Sequence, residues 1–246
     1  MKIGIIGAGN IGGTLARKFA AAGHLVKLAS SKGPDEVREQ AEKIGATPVT
    51  AKDAVKDVDV IILSIPFASI PDVSKLFADV PADVCVVDTS NYYPMRDQTI
   101  VEVEEGKPES VWASEQLGRP VIKAFNAVLA HTLQENGKPH GTPGRIAMPL
   151  AGDDVLSKKI VSQLGDEAGF DPVDAGALAE SWRQQPGTPA YCTELPVEEL
   201  RQALAIADKD RAPANRDAVM QEFMQAATPP AHEHVIERNR AISAPH

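Results

Sequence analysis

The sequence predicts an α/β chain: a doubly wound, mainly parallel sheet followed by a helical segment. Three observations carry that expectation. Short β-branched runs alternate with amphipathic stretches from Lys2 to about Gly176. Two of the runs, residues 59–65 (DVIILSI) and 83–88 (DVCVVD), are almost continuously apolar, as strands covered on both faces are. From Ala177 onward the apolar spacing changes to that of helices. The expected division is therefore 1–176 for the sheet domain and 177–246 for a C-terminal loop and helices. So small a helical segment must pack on the sheet domain or on a second subunit.

The first strand, residues 3–6, runs into Gly7-Ala8-Gly9-Asn10-Ile11-Gly12. A helix follows at once, with Ile11, Leu15, Phe19 and Ala22 on one face and Gly23 at its end. Three glycines at this spacing are weak evidence alone, but a strand before and a helix after make the pattern specific for a dinucleotide. Gly7 allows the tight turn, Gly9 leaves room for a pyrophosphate against the backbone, and Gly12 lets helix and strand pack closely. Free N–H groups around Asn10 and Ile11 then face the phosphates. Where NAD enzymes place a carboxylate, at the end of the second strand, this chain has Ala29-Ser30-Ser31-Lys32. Two hydroxyls and an ammonium suit a ribose 2′-phosphate, so NADP(H) is expected; a solvated loop with an exposed lysine is the plain alternative.

Further along, Gly33-Pro34-Asp35 opens a second helix with Val37, Ala41 and Ile44 on its apolar face. Residues 46–49 form a short strand, and Thr50 to Asp53 read as a capping box. Ser64-Ile65-Pro66-Phe67 lie beyond the carboxyl end of strand 59–65, where open α/β sheets bind ligands. Phe67 either offers a flat surface to the nicotinamide or is core. Strand 83–88 leads into Thr89-Ser90-Asn91-Tyr92-Tyr93-Pro94, a polar and aromatic loop suited to a substrate wall. Residues 121–125 (VIKAF) are a strand leading into Asn126, and 145–151 (RIAMPLA) and 170–174 are two more. Between those two, a helix is capped by Asp153 or Asp154 and carries Leu156, Ile160, Leu164 and Ala168. In the C-terminal segment, Leu200, Leu204 and Ala207 share one face and Met220, Phe223 and Met224 another. The polar stretch from Ala231 is expected to be a solvated, mobile tail.

Composition is that of a globular protein, and a net charge of −9 argues against general nucleic-acid binding. No apolar stretch is long enough to span a membrane. Two widely separated cysteines, Cys85 in a strand and Cys192 in a loop, suggest a reducing, cytoplasmic setting and form no metal-ligand spacing. His232 and His234, two residues apart, fall on different helix faces, so no metal is expected. The loop 181–191 has the chemistry of a ligand wall, with Trp182 and Tyr191 for stacking and Arg183 for an anion; an ordered surface loop is the alternative. Were the acceptor a carbonyl or imine, a proton donor would be needed, and His131 and Tyr92 or Tyr93 are the candidates.

GIIGAGNIG, SIPF, KAFN and AGDD occur in that order. The ordered set resembles the coenzyme F420-dependent NADP oxidoreductase family, with the reductase domain of the STEAP metalloreductases as a cousin. The likeness covers roughly residues 1–176. It implies direct hydride transfer between NADP(H) and a flat ring such as F420 or a flavin. It also implies a homodimer whose C-terminal helices contribute to the interface. By family position, Gly7, Gly9, Asn10 and Ile11 would hold the pyrophosphate and Ser30, Ser31 and Lys32 the 2′-phosphate. Ile65, Pro66 and Phe67 would border the nicotinamide, and Asn126 would line the reaction cleft. Members from archaea are shorter, so the loop 181–191 and the helical tail lie outside the likeness. A small-molecule acceptor is expected, with an imine, a carbonyl or a ferric chelate as alternatives to the ring. A non-enzymatic NADPH-sensing module is the remaining alternative.

Overall fold

The computed structural model describes residues 1–244. Eight strands form one sheet: β1 (Lys2–Ile6), β2 (Leu25–Ala29), β3 (Thr47–Pro48), β4 (Val60–Leu63), β5 (Cys85–Asp88), β6 (Ile122–Ala124), β7 (Ala147–Ala151) and β8 (Asp171–Asp174). Their spatial order is β3-β2-β1-β4-β5-β6-β7-β8. Strand order reverses direction at β1, which pairs with β2 on one side and β4 on the other, all parallel. The crevice beyond the carboxyl ends of β1 and β4 is therefore the topological switch point, where such sheets bind ligands. β6 and β7 are antiparallel, so the last two strands run against the rest.

Side chains alternate across the pleat, and two separate cores result. Ile3, Ile5, Val60, Ile62, Cys85 and Val87 face one layer, packed on Leu15 and Phe19 of helix α1 (Asn10–Ala21). Ile6, Ile61, Leu63 and Val86 face the other, with Phe67, Trp112 and Leu117. Helix α2 (Pro34–Ile44) places Val37 and Ala41 in the first core and ends at Gly45 in the left-handed region.

The segment after β8 packs on the sheet. A 3-10 stretch, Leu178–Gln184, contacts β6, β7 and the helix Glu109–Leu117. Leu200, Ala203 and Leu204 of the helix Val197–Ala205 bury themselves against Ala147 and Val173. The stretch expected to be a mobile tail is instead a helix, His232–Ser243, whose Ile236 and Asn239 are buried. Arg240 donates from its Nε and Nη2 to the Thr193 carbonyl at 2.8 and 2.6 Å, and His232 lies 2.9 Å from Glu194, so polar side chains dock this helix. Met220, Phe223 and Met224 do not form a buried face: Met224 is exposed, and Val219 and Arg216 are buried instead. Cys192, in a loop open to either reading, is buried.

Candidate functional site

Two adjoining hollows at the switch point share Gly9, Ser64, Ile65 and Pro66. The wider, about 670 Å³, runs from Gly7 past Ser30, Ser31 and Glu36 to Asp72. The narrower, about 380 Å³, holds Asn10, Ile11, Asn91, Tyr93, Arg96, Asn126 and Tyr191. Through these shared residues the two hollows make one furrow.

The floor of the furrow is glycine for steric reasons. Gly7 sits at φ +108°, and a Cβ there would lie 2.0 Å from the Ser64 carbonyl oxygen. A Cβ on Gly12 would lie 1.9 Å from the Gly7 carbonyl oxygen, so strand and helix could not meet as they do. A Cβ on Gly9 would meet nothing within 4 Å; the space above it is open. Gly9 caps α1 without a side-chain hydrogen bond, which leaves the first-turn N–H groups to an incoming ligand. An open cradle over free N–H groups fits a pyrophosphate.

The narrow hollow is walled by polar side chains from distant parts of the chain. Asn126 follows Phe125, a buried aromatic held at φ +61°, and Cys192, whose backbone N–H donates to the Ala127 carbonyl at 3.0 Å, sits at φ +55°. Non-glycine residues rarely adopt this conformation, at a cost of about 1–3 kcal/mol each, and such strain concentrates at functional sites. The Asn126 amide donates to Asn91 Oδ1 at 3.0 Å and to the Gln184 carbonyl at 2.8 Å, while its Oδ1 accepts from Gln184 at 2.9 Å. Both of its N–H bonds are thus committed, and one lone pair of its Oδ1 is left without a partner among these bonds. Tyr93 and Tyr191 meet hydroxyl to hydroxyl at 2.7 Å, and Asn91 donates to Tyr191 at 3.4 Å. Burial raises both phenols above the ordinary tyrosine value. Arg96, at the hollow's mouth, donates to the Asn91 carbonyl and to Asp97, and its guanidinium lies 5.3 Å from the Tyr93 ring centroid.

Beneath this wall lies a charged cluster. Lys123, fully buried, lies 3.3 Å from Asp88 and 3.4 Å from Glu109, and donates to the Ser90 carbonyl. Ser90 and Ser110 donate to Asp88 at 2.5 and 2.6 Å. Burial pushes the Glu109 carboxyl up to about 7 against the pull of Lys123, and Asp88 adds to the rise.

Of the residues expected from the sequence, Gly7, Gly9, Asn10, Ile11, Ser30, Ser31, Ser64, Ile65, Pro66, Asn126 and Tyr191 all border the furrow, with Gly12 directly beneath it. Several others do not. Phe67 is wholly buried: the 3-10 turn after Pro66 swings it into the second core, stacked on Trp112 at 4.8 Å. Tyr92 is also core, its hydroxyl donating to the Gln98 carbonyl and accepting from the Ile100 N–H, so its neighbour Tyr93 is the one in the hollow. His131 lies outside the hollow on the helix Ala130–Glu135, its ring 4.4 Å from that of His232. Trp182 and Arg183 face away, stacked on each other at 4.4 Å, with Arg183 bound to Glu180 and the Leu204 carbonyl. Lys32 is exposed and paired with Glu36. Asp154 rather than Asp153 caps the helix Val155–Glu167. Asn91, Arg96, Gln184 and Glu36 are not anticipated as individual site residues; the Thr89–Pro94 loop carries a signal for Asn91 and the loop 181–191 for Gln184, while Arg96 and Glu36 have none.

Among the described residues no group of three or more metal-ligating side chains converges, and no helix is long and apolar enough to cross a membrane.

Comparison with known proteins bears on the family and the fold. Residues 2–92 match the family model described as NADP oxidoreductase, coenzyme F420-dependent. The Escherichia coli (strain K12) protein YjhV is 36% identical over 113 residues, 46% of this chain and 82% of its own length. Rat (Rattus norvegicus) metalloreductase STEAP3 is 28% identical over 185 residues, 73% of this chain but only 35% of the rat protein. Among solved structures, the Sinorhizobium meliloti protein SMa0349 is 33% identical with a TM-score of 0.69, over 79% of this chain and 95% of its own. A protein from Arthrobacter sp. FB24, described as an F420-dependent NADP-reductase, shares the fold at 20% identity and a TM-score of 0.62, over 74% and 87% of the two chains. The matched residues 2–92 include the glycine cradle and the turn after β4, and YjhV is similar over most of its length. The chain belongs to the coenzyme F420-dependent NADP oxidoreductase family.

Proposed function

We propose that this protein transfers a hydride between NADP(H), laid along the furrow from Ser30 to Asn126, and a flat ring acceptor such as F420 or a flavin in the narrow hollow. In this reading residues 1–176 bind the nucleotide and 177–246 complete the acceptor wall. The supporting observation is that Ile65, Pro66, Asn126, Tyr93 and Tyr191 border one hollow that opens into the glycine cradle. NADP(H) supplies the hydride chemistry when bound; the protein's part is position and electrostatics. First-turn N–H groups at Asn10 and Ile11 would hold the pyrophosphate. The remaining lone pair of Asn126 would orient the carboxamide of the nicotinamide. Ser30, Ser31 and Lys32 would take the 2′-phosphate.

A ring acceptor is favoured over a carbonyl by the acid chemistry of the hollow. Reduction of a carbonyl or imine needs a proton donor near neutrality, and both phenols are shifted away from that range. His131, the other candidate, is outside the hollow. The test is single-turnover reduction of FMN or F420 by NADPH and purified protein. We expect oxidation of NADPH coupled to either ring, and loss of at least tenfold in rate for Asn126→Ala. Turnover of carbonyl or imine substrates with no ring acceptor reduced would sink the reading.

A further inference from the structure

The wide end of the furrow holds a group that the sequence pattern around Ser30 did not announce. Glu36, in the first turn of α2, lines the hollow beside Ser30 and Ser31, whereas Lys32 does not. Its carboxylate accepts from the Ser30 hydroxyl and lies 3.0 Å from Lys32 Nζ. The Lys32 backbone N–H donates to Ser30 Oγ at 3.2 Å, which fixes the hydroxyl where Glu36 meets it. The hydrogen bonds from Ser30 and then Lys32 hold the Glu36 carboxyl below its ordinary value, so it stays ionised at neutral pH. Two of the groups suited to a ribose 2′-phosphate are therefore already bound to an anion, one that is part of the chain. The other charged group lining this end, Asp72, is also a carboxylate.

We propose that Glu36 sets the choice of nicotinamide cofactor, by competing with the ribose 2′-phosphate for Ser30 and Lys32 and by accepting from the 2′-hydroxyl when that phosphate is absent. The chain then takes both NADP(H) and NAD(H), and its preference for the former is narrow. A carboxylate and a phosphate repel each other at hydrogen-bond range, so NADP(H) can engage Ser30 and Lys32 only after Glu36 turns out. The side chains are free to do so: Glu36 is 39% exposed and Lys32 78%. For NAD(H) no such turn is needed, because an ionised carboxylate accepts from a hydroxyl as it stands. This inference rests on the reading of the furrow as a dinucleotide site.

The experiment is equilibrium titration of wild type, Glu36→Gln, Lys32→Met and the double variant with NADPH and with NADH. In wild type the two Kd values are expected within about tenfold of each other. Glu36→Gln keeps the size and a hydrogen-bond acceptor but removes the charge; it is expected to tighten NADPH about five- to tenfold and to change NADH less than twofold. Lys32→Met should cost more NADPH affinity in the Gln background than in wild type, because Lys32 is then released to the phosphate. An unchanged NADPH-to-NADH ratio in Glu36→Gln would overturn the proposal while leaving the furrow reading intact, as would a wild-type preference above a hundredfold. Failure of wild type to bind either nucleotide would overturn the furrow reading and this inference together.

Discussion

Asn126 makes its three hydrogen bonds to residues 35 and 58 positions away, so its orientation is set by the wall of the hollow before any ligand arrives. The left-handed Phe125 that presents it has no signal in the VIKAF run, which reads as ordinary strand. The same limit explains Tyr92 and Tyr93. Alternation assigns faces within a strand, but Thr89–Pro94 is loop, and nothing in its sequence says which ring turns inward. Glu109 was equally invisible, because its partners lie 21 and 14 residues away. Its carboxyl binds a proton more tightly folded, at about 7, than unfolded, at its ordinary 4.5. The native state therefore holds the extra proton across that window, and stability falls as pH rises through it. We predict that Glu109→Gln flattens this fall. Urea unfolding of both proteins at about pH 5 and pH 7.5 checks it, and parallel pH dependence in the two would refute it.

At the scale of elements, the strand–glycine–helix unit was legible because its constraints are local. Gly7 and Gly12 are dictated by contacts within β1, α1 and the adjoining turn after β4. Adding one methyl at Gly12 should force β1 and α1 apart, since the Cβ would lie 1.9 Å from a backbone oxygen that cannot rotate away. Overpacking of this kind costs about 1–3 kcal/mol. We predict that Gly12→Ala lowers stability by about that much and weakens NADPH binding at least tenfold. Unfolding curves and nucleotide titration read the two effects, and unchanged affinity would count against the cradle. The helix His232–Ser243 shows the opposite case. Its apolar periodicity is weak, and it is held by Arg240 and His232 on polar partners that only the fold brings near. Phe67 belongs here too: Pro66 ends the strand as expected, but the turn that follows decides whether the ring meets ligand or core.

For the whole molecule, the furrow crosses the switch point of one continuous sheet, so a dinucleotide bound as proposed would meet the segments that follow β1, β2 and β4 at once. A ligand that binds only the folded chain stabilises it by mass action, by about 2.7 kcal/mol at a hundred times its Kd. For a chain of this size that is a rise in Tm of roughly 5–10 °C. We predict such a rise with saturating NADPH, measured by thermal unfolding; no shift would contradict binding in the furrow. The sheet class was readable from alternating runs, and the antiparallel β6–β7 pairing was not, because register across a long connection leaves no local mark.

The bond between Tyr93 and Tyr191 spans 98 residues of sequence. A ribosome making this chain finishes the glycine turn and the turn after β4 by Pro66 but the Tyr191 part of the narrow hollow only much later. At ~5–20 residues per second the interval is on the order of ten seconds. A nascent chain would thus have the residues of the proposed nucleotide cradle well before those that complete the narrow hollow.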